Sequence, residues 1–293
     1  MAWPESCAAP RRRRRWAGVA AMAHSEFELI NRYFAPLTRP SDPDLLLGIG
    51  DDAAVLRPDP TRELVVAVDT LVAGVHFPED LPADDVAWRG LAVNLSDLAA
   101  MGARPRWFTL ALTLPEANDA WLEAFATGLR TLAERAQCAL VGGDTTRGPR
   151  ALTVTVIGDA APGLALRRAG ARAGDRVFVS GWPGCGALGL RDWQAGRRDT
   201  PAARRFRRPA PRLALGQALA GTASAAIDIS DGLWADLGHV LAASRVGARL
   251  DPAAIDALAE GLDAVPDAAR KALLFGGDDY ELCFTAPPSM RSR

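Results

Sequence analysis

A chain of 293 residues, 49% hydrophobic and 24% charged, has the make-up of a globular protein with a large core and room for two domains. Its net charge of −1 gives no bulk attraction to nucleic acid or to a membrane surface, and Lys271 is the only lysine, which excludes the lysine of a P-loop. Cys7, Cys138, Cys185 and Cys283 are widely spaced without a C-x-x-C pair, so neither a zinc site nor a disulfide framework is expected, and a cytoplasmic setting fits.

Residues 1–23 carry a run of five arginines, 11–15, and are expected to be a disordered extension foreign to the fold, with Met22 as the natural start. Apolar residues at helical spacing predict a helix over 26–34. A proline-rich loop, 36–43, leads into L-G-I-G-D-D-A-A-V-L at 47–56, where two glycines precede two adjacent carboxylates. Residues 64–68 read as a strand ending at Asp69. Asp84 is the expected N-cap of a helix running to Met101, stopped by Gly102 and Pro105. A strand over 107–114 and an amphipathic helix over 119–137 follow. A short strand at 139–141 is expected to break at Gly142-Gly143-Asp144, and 151–157 alternates as another strand.

Near 160–174 the composition turns to Ala, Gly, Pro and Arg, which marks an expected inter-domain connection. The reading therefore divides the chain into 24–160 and 161–293. In the second part, 175–180 opens the unit ahead of a Gly-rich turn, a strand is expected at 225–229 and a helix at 233–244, and the regular order runs nearly to its end at Phe284. The basic run 204–208 reads as a solvated loop, with no wider basic patch to make it a nucleic-acid contact. Alternating strands and helices give an α/β (α+β) chain.

Carboxylates recur beside glycines and strand ends: Asp51-Asp52, Asp69, Asp144, Asp228, Asp231 and Asp278-Asp279. Asp97 lies on a helix at the border of its buried face. Taken singly, each is a cap, a turn former or an arginine partner. Together they resemble the ligand crevices of α/β folds, and carboxylates without Cys or paired His favour hard cations, Mg²⁺ above all. Glycines let backbone N–H groups approach phosphate oxygens closely. The combination points to metal-assisted phosphoryl transfer without a P-loop.

Six segments in this order resemble the thiamine-monophosphate kinase family, within the aminoimidazole ribonucleotide synthetase-like superfamily. They are G-I-G-D-D at 48–52, D-T-L-V-A-G-V-H-F at 69–77, N-L-S-D-L-A-A-M-G-A at 94–103, G-G-D-T-T-R-G at 142–148, D-I-S-D-G-L at 228–233 and G-G-D-D-Y-E-L-C-F at 276–284. The resemblance implies a two-domain fold whose N-terminal mixed sheet dimerises and whose C-terminal α/β domain is truncated at Arg293. It implies ATP-dependent phosphorylation of thiamine monophosphate to thiamine diphosphate, with several Mg²⁺ ions and ATP as co-substrate. Asp52, Asp69, Asp97, Asp144, Asp228 and Asp231 are implied metal ligands. Gly143, Asp144, Arg168 and Ser230 are implied ATP contacts, and His76 and Asp278 implied substrate contacts. Asp278 stands where the family usually has Glu, and Ala67 and Val68 where some relatives carry Ser or Thr. The alternatives are a nucleotide-binding protein that has lost catalysis, or a related enzyme of the hydrogenase-maturation type.

Overall fold

The computed structural model describes residues 26–38 and 42–289, so the expectations for residues 1–23 lie outside the described residues. The described residues open with α1 (Glu26–Leu29), whose helix widens into a π turn over Ile30–Phe34 and tightens into a 3₁₀ turn over Ala35–Leu37. Strands β1 (Leu45–Leu47) and β2 (Val55–Leu56) pair antiparallel and hold the 48–54 loop between them. Then follow β3 (Glu63–Val72), α2 (Ala83–Ala100), β4 (Arg104–Leu114), α3 (Asp119–Ala136), β5 (Ala139–Arg147) and β6 (Ala151–Ala160). The four long strands form one mixed sheet, ordered β3-β6-β4-β5, in which only the β4–β5 pair is parallel.

Alternation explains how this sheet buries one face. Leu152, Val154 and Val156 of β6 and Phe108, Leu110 and Leu112 of β4 point into one core. The facing helices contribute Leu91, Leu95 and Leu98 from α2 and Leu122, Phe125 and Leu129 from α3. Each such Leu or Phe stabilises the fold by about 1.5–3 kcal/mol on leaving water. Gly90 allows α2 to lie close on the sheet, because a Cβ there would meet Leu152 Cδ1 at 2.1 Å.

The second half contains β7 (Arg176–Val179), α4 (Cys185–Gln194), α5 (Pro201–Arg207), α6 (Leu213–Leu219), β8 (Ala225–Asp228), α7 (Leu233–Ser244), α8 (Pro252–Ala259), α9 (Pro266–Phe275) and β9 (Leu282–Ala286). Its sheet is antiparallel and ordered β7-β9-β8. Helix α2 is shared between the halves. Ala99 and Ala100 pack with Ala226 and Leu282, and the Trp88 indole donates to Pro209 O at 2.8 Å.

Several expectations need correction. Asp84 is not the cap of α2: Pro82 holds that position, and Asp84 pairs with Arg208 instead. Asp69 does not end its strand, because β3 runs on to Val72 against β6. The strand β5 does not break at its glycines. Gly143 sits against Leu110, where a Cβ would meet the Leu110 carbonyl oxygen at 1.9 Å, so glycine lets the ladder continue. The basic run 204–208 is no solvated loop. It closes α5, and Arg207 and Arg208 both bind the buried carboxylate of Asp85, at 3.0 and 2.5 Å.

Candidate active site

Two groups of the expected residues gather in different places. The first is an open cavity of about 570 Å³. The 48–54 loop and residues 142–145 of β5 form its walls, with Ile30 and Phe34 closing one side. Glycine shapes it: Gly50 adopts φ 129°, and a Cβ at Gly50 or Gly142 would meet nothing within 4 Å. Backbone amides can therefore be approached closely by an anion. Asp51, Asp52 and Asp144 stand exposed on its walls. Asp51 Oδ1 accepts the backbone N–H of Asp52 at 2.8 Å, so Asp51 fixes the turn while the Asp52 carboxylate stays in water.

The second group lies at the junction of the two sheets, with Asp228 buried, Asp97 half-buried and Asp69 exposed, and one stretch of α2 organises it. Asn94 Oδ1 accepts the backbone N–H of Asp69 at 2.8 Å and thereby docks β3 on the helix. Two residues on, the Ser96 hydroxyl donates to Asp228 Oδ2 at 2.7 Å and docks the end of β8. Asp97 lies next to them. Burial pushes the Asp97 carboxyl up to about 7, and the charges of Asp228 and Asp69 add to this, while Arg168 opposes it. Burial likewise lifts Asp228 to about 6, against the Ser96 hydrogen bond, with Asp236 and Asp69 pushing further up. Asp69 is raised by burial and partly relieved by His76.

Strand register relates the two groups. Asp69 faces Val154, Val154 faces Leu110, and Leu110 faces Gly143, in one row across the sheet. Three steps at the usual strand spacing separate them by about 14 Å. Among the described residues no three acids already stand close enough to hold a metal ion. Their chemistry nevertheless fits a hard dication: the donors are all oxygens, and Asp97 and Asp228 are raised by desolvation and by neighbouring carboxylates.

The remaining expected residues lie around the junction. His76 is exposed, and its Nδ1 accepts the backbone N–H of Val72 at 3.0 Å, which leaves the proton on Nε2 when the ring is neutral. Ser230 and Asp231 are exposed on the loop after β8. Arg168 lies on the segment after β6, close enough to act on Asp97. Asp278 is held by an ion pair with Arg89 and lines a separate cavity.

Two supporting residues escape a reading of spacing alone. Asp236, buried in the first turn of α7, accepts the backbone N–H groups of Ser230, Asp231 and Gly232 at 3.0, 3.0 and 3.1 Å. An acid just inside a helix start is the available signal, since it compensates amides there. Ser244 Oγ receives the N–H groups of Gly170 and Ala171 and donates to Arg168 O, which fixes the Arg168 segment.

Comparison with known proteins now decides the family. Residues 50–160 match the N-terminal domain of AIR synthase related proteins. The thiamine-monophosphate kinase of Escherichia coli O157:H7 is 49% identical over 275 residues, covering 91% of this chain and 84% of that protein. The chain belongs to the thiamine-monophosphate kinase family. It is an enzyme of the kinase class, with the aminoimidazole ribonucleotide synthetase-like fold. The crystal structure of the kinase from Stenotrophomonas maltophilia K279a superposes with a TM-score of 0.79 at 49% identity, covering 92% of this chain and 88% of that one. A structure of AaThiL complexed with AMPPCP and TMP gives a TM-score of 0.69 at 31% identity, covering 90% and 85%. These identities set aside the hydrogenase-maturation reading.

Proposed function

We propose that this chain transfers the γ-phosphoryl group of ATP to the phosphate of thiamine monophosphate, forming thiamine diphosphate and ADP. The observation that carries the reading is the meeting of Asp69, Asp97 and Asp228, from three elements, with no arginine or lysine bonded to any of them among the described residues. Mg²⁺ held by these acids, and by Asp52, Asp144 and Asp231, would neutralise the charge of the two phosphates being brought together. The acceptor phosphate has its second pKa near 6, so the attacking oxygen is already anionic near pH 7 and no general base is needed. The chain's own residues act by positioning. Gly143 and its neighbours offer backbone amides to the nucleotide phosphates, Arg168 and Ser230 contact ATP, and His76 and Asp278 orient the acceptor. Attack is in line, with the bond from the γ-phosphorus to the bridging oxygen breaking as the new one forms.

The same reading carries three further proposals. Residues 24–160 act as the metal-binding and nucleotide-binding domain, and 161–293 as the second domain. The exposed apolar side chains of edge strand β3, Leu64, Val66 and Val68, support a homodimer through this sheet. Free Cys185 and Cys283 accord with a cytoplasmic setting, and no helix among the described residues is long and apolar enough to cross a membrane.

Thiamine diphosphate formation by the purified protein, with and without Mg²⁺, tests the reaction. Turnover that requires Mg²⁺ is the expected result. Tight ATP binding with no turnover would overturn it in favour of a nucleotide-binding protein. Sedimentation at micromolar concentration tests the dimer, and a monomer would refute it.

A further inference from the structure

Arg89 sits on α2, five residues before Asn94, and is only 1% exposed. A buried guanidinium must be paired, and this one is divided between two distant elements. One nitrogen donates to the Phe206 carbonyl at 2.6 Å and another to Asp278 Oδ1, 189 positions away. Its carbon lies 4.5 Å from the Phe206 ring centroid and 5.6 Å from that of Tyr280. The Tyr280 hydroxyl donates to the same Asp278 oxygen at 3.1 Å. Oδ2 of Asp278 makes no hydrogen bond among the described residues, and the carboxylate lines a cavity of about 270 Å³ with Trp182, Asp279 and Glu281.

The backbone here needs support. Asp278 and Tyr280 adopt φ of 67° and 53°, a left-handed conformation that side-chain-bearing residues rarely keep without outside help. Their N–H groups bond to Ser230 O at 2.9 Å and Ile229 O at 2.8 Å, which clasps this loop to the one bearing Asp231. The Asp279 carboxylate accepts the N–H groups of Gly184 and Gly186, at 2.6 and 2.8 Å, from the other side.

We infer that Arg89 is a positioning residue: its forked guanidinium fixes Asp278 with Oδ1 occupied and Oδ2 presented to the acceptor substrate. The inference rests on the reading of Asp278 as an acceptor contact. The fork matters because a lysine ammonium offers no rigid planar pair of donors for Phe206 O and Asp278 together. The same helix then sets three elements of the site. Arg89 places Asp278, Asn94 places Asp69 and Ser96 places Asp228.

The test measures KM for thiamine monophosphate and for ATP in Arg89→Lys, Asp278→Asn, their double variant and Tyr280→Phe. Arg89→Lys should raise the acceptor KM about tenfold and leave that for ATP within about twofold. Asp278→Asn should raise the acceptor KM at least as much, and the double variant should add nothing further, since both changes remove one interaction. Tyr280→Phe keeps every charge and should raise the acceptor KM about twofold to threefold. Where Arg89→Lys does not fold, an unchanged acceptor KM in Tyr280→Phe overturns the inference. A wild-type acceptor KM in Arg89→Lys beside a raised one in Asp278→Asn overturns the positioning role alone. A wild-type value in Asp278→Asn removes the acceptor-contact reading, and the inference falls with it.

Discussion

Asp159 and Asp97 are both largely withdrawn from water, yet the protein surrounds them in opposite ways. Asp159, at the end of β6, receives Arg62 at 2.5 Å, Arg104 at 2.7 Å and Arg106 at 3.0 Å, and Arg106 ties it on to Asp44 at 2.6 Å. Burial alone would raise its carboxyl, but three guanidinium hydrogen bonds outweigh this and hold it below the usual carboxylate range. Asp97 and Asp228 receive no guanidinium hydrogen bond among the described residues; desolvation and the neighbouring carboxylates outweigh the Ser96 hydroxyl on Asp228 and the charge of Arg168 on Asp97, and they rise to about 7 and about 6. With 34 lysines and arginines in the chain, positive charge is not scarce. A buried acid supplied with arginine braces the fold, whereas desolvated acids left without it are costly to the fold, which supports the metal-binding role proposed for them.

The contrast can be broken by substitution. Asp97→Asn should cut thiamine diphosphate formation by about 10³-fold or more while the circular dichroism spectrum stays native, because the change removes charge and keeps shape. Unchanged turnover would make Asp97 structural. Asp159→Asn should do the reverse. It leaves three guanidiniums around a neutral amide and should cost about 3–5 kcal/mol in a denaturant titration, with kcat changed by less than about threefold. Its pH dependence also has a defined sign. A depressed folded pKa means that the contribution of Asp159 is full above the unfolded value near 3.9 and is lost as pH falls through the lower folded value. Asp236→Ala comes next, at about 2 kcal/mol, since three backbone N–H groups lose their shared acceptor. ATP affinity should weaken with it if the loop presents Ser230 to the nucleotide. The smallest effect compares neighbours. Asp51→Asn should retain most activity because its amide oxygen can still receive the Asp52 N–H, while Asp52→Asn should slow turnover by about tenfold or more.

How much of this was legible in the sequence follows from the range of each interaction. The glycine–aspartate loop, the position of Asp97 at the edge of a buried helix face and the main strands are local patterns, and the residues carry them in full. Ser96 bonding Asp228 across 132 positions, or Arg89 reaching Asp278 across 189, leaves no periodicity to find. The continuation of β5 through two glycines was misread for a related reason. Glycine there answers the approach of Leu110, a neighbour contributed by another strand. The basic run after Pro201 looked solvated because its partners, Asp84 and Asp85, lie on α2.

The most direct test of the central claim follows thermal stability across pH 4–8 for wild type and Asp97→Asn, with and without Mg²⁺. A carboxyl with a folded pKa of about 7 and an unfolded value near 3.9 costs nothing below pH 4 and reaches its full cost above pH 7. That full cost is on the order of a few kcal/mol. The account predicts that the Asn variant matches wild type at pH 4, gains on it steadily towards pH 8, and loses that advantage when millimolar Mg²⁺ is added. A difference that stays flat with pH, or that ignores Mg²⁺, would contradict the proposal that Asp97 is desolvated at a cation-binding site.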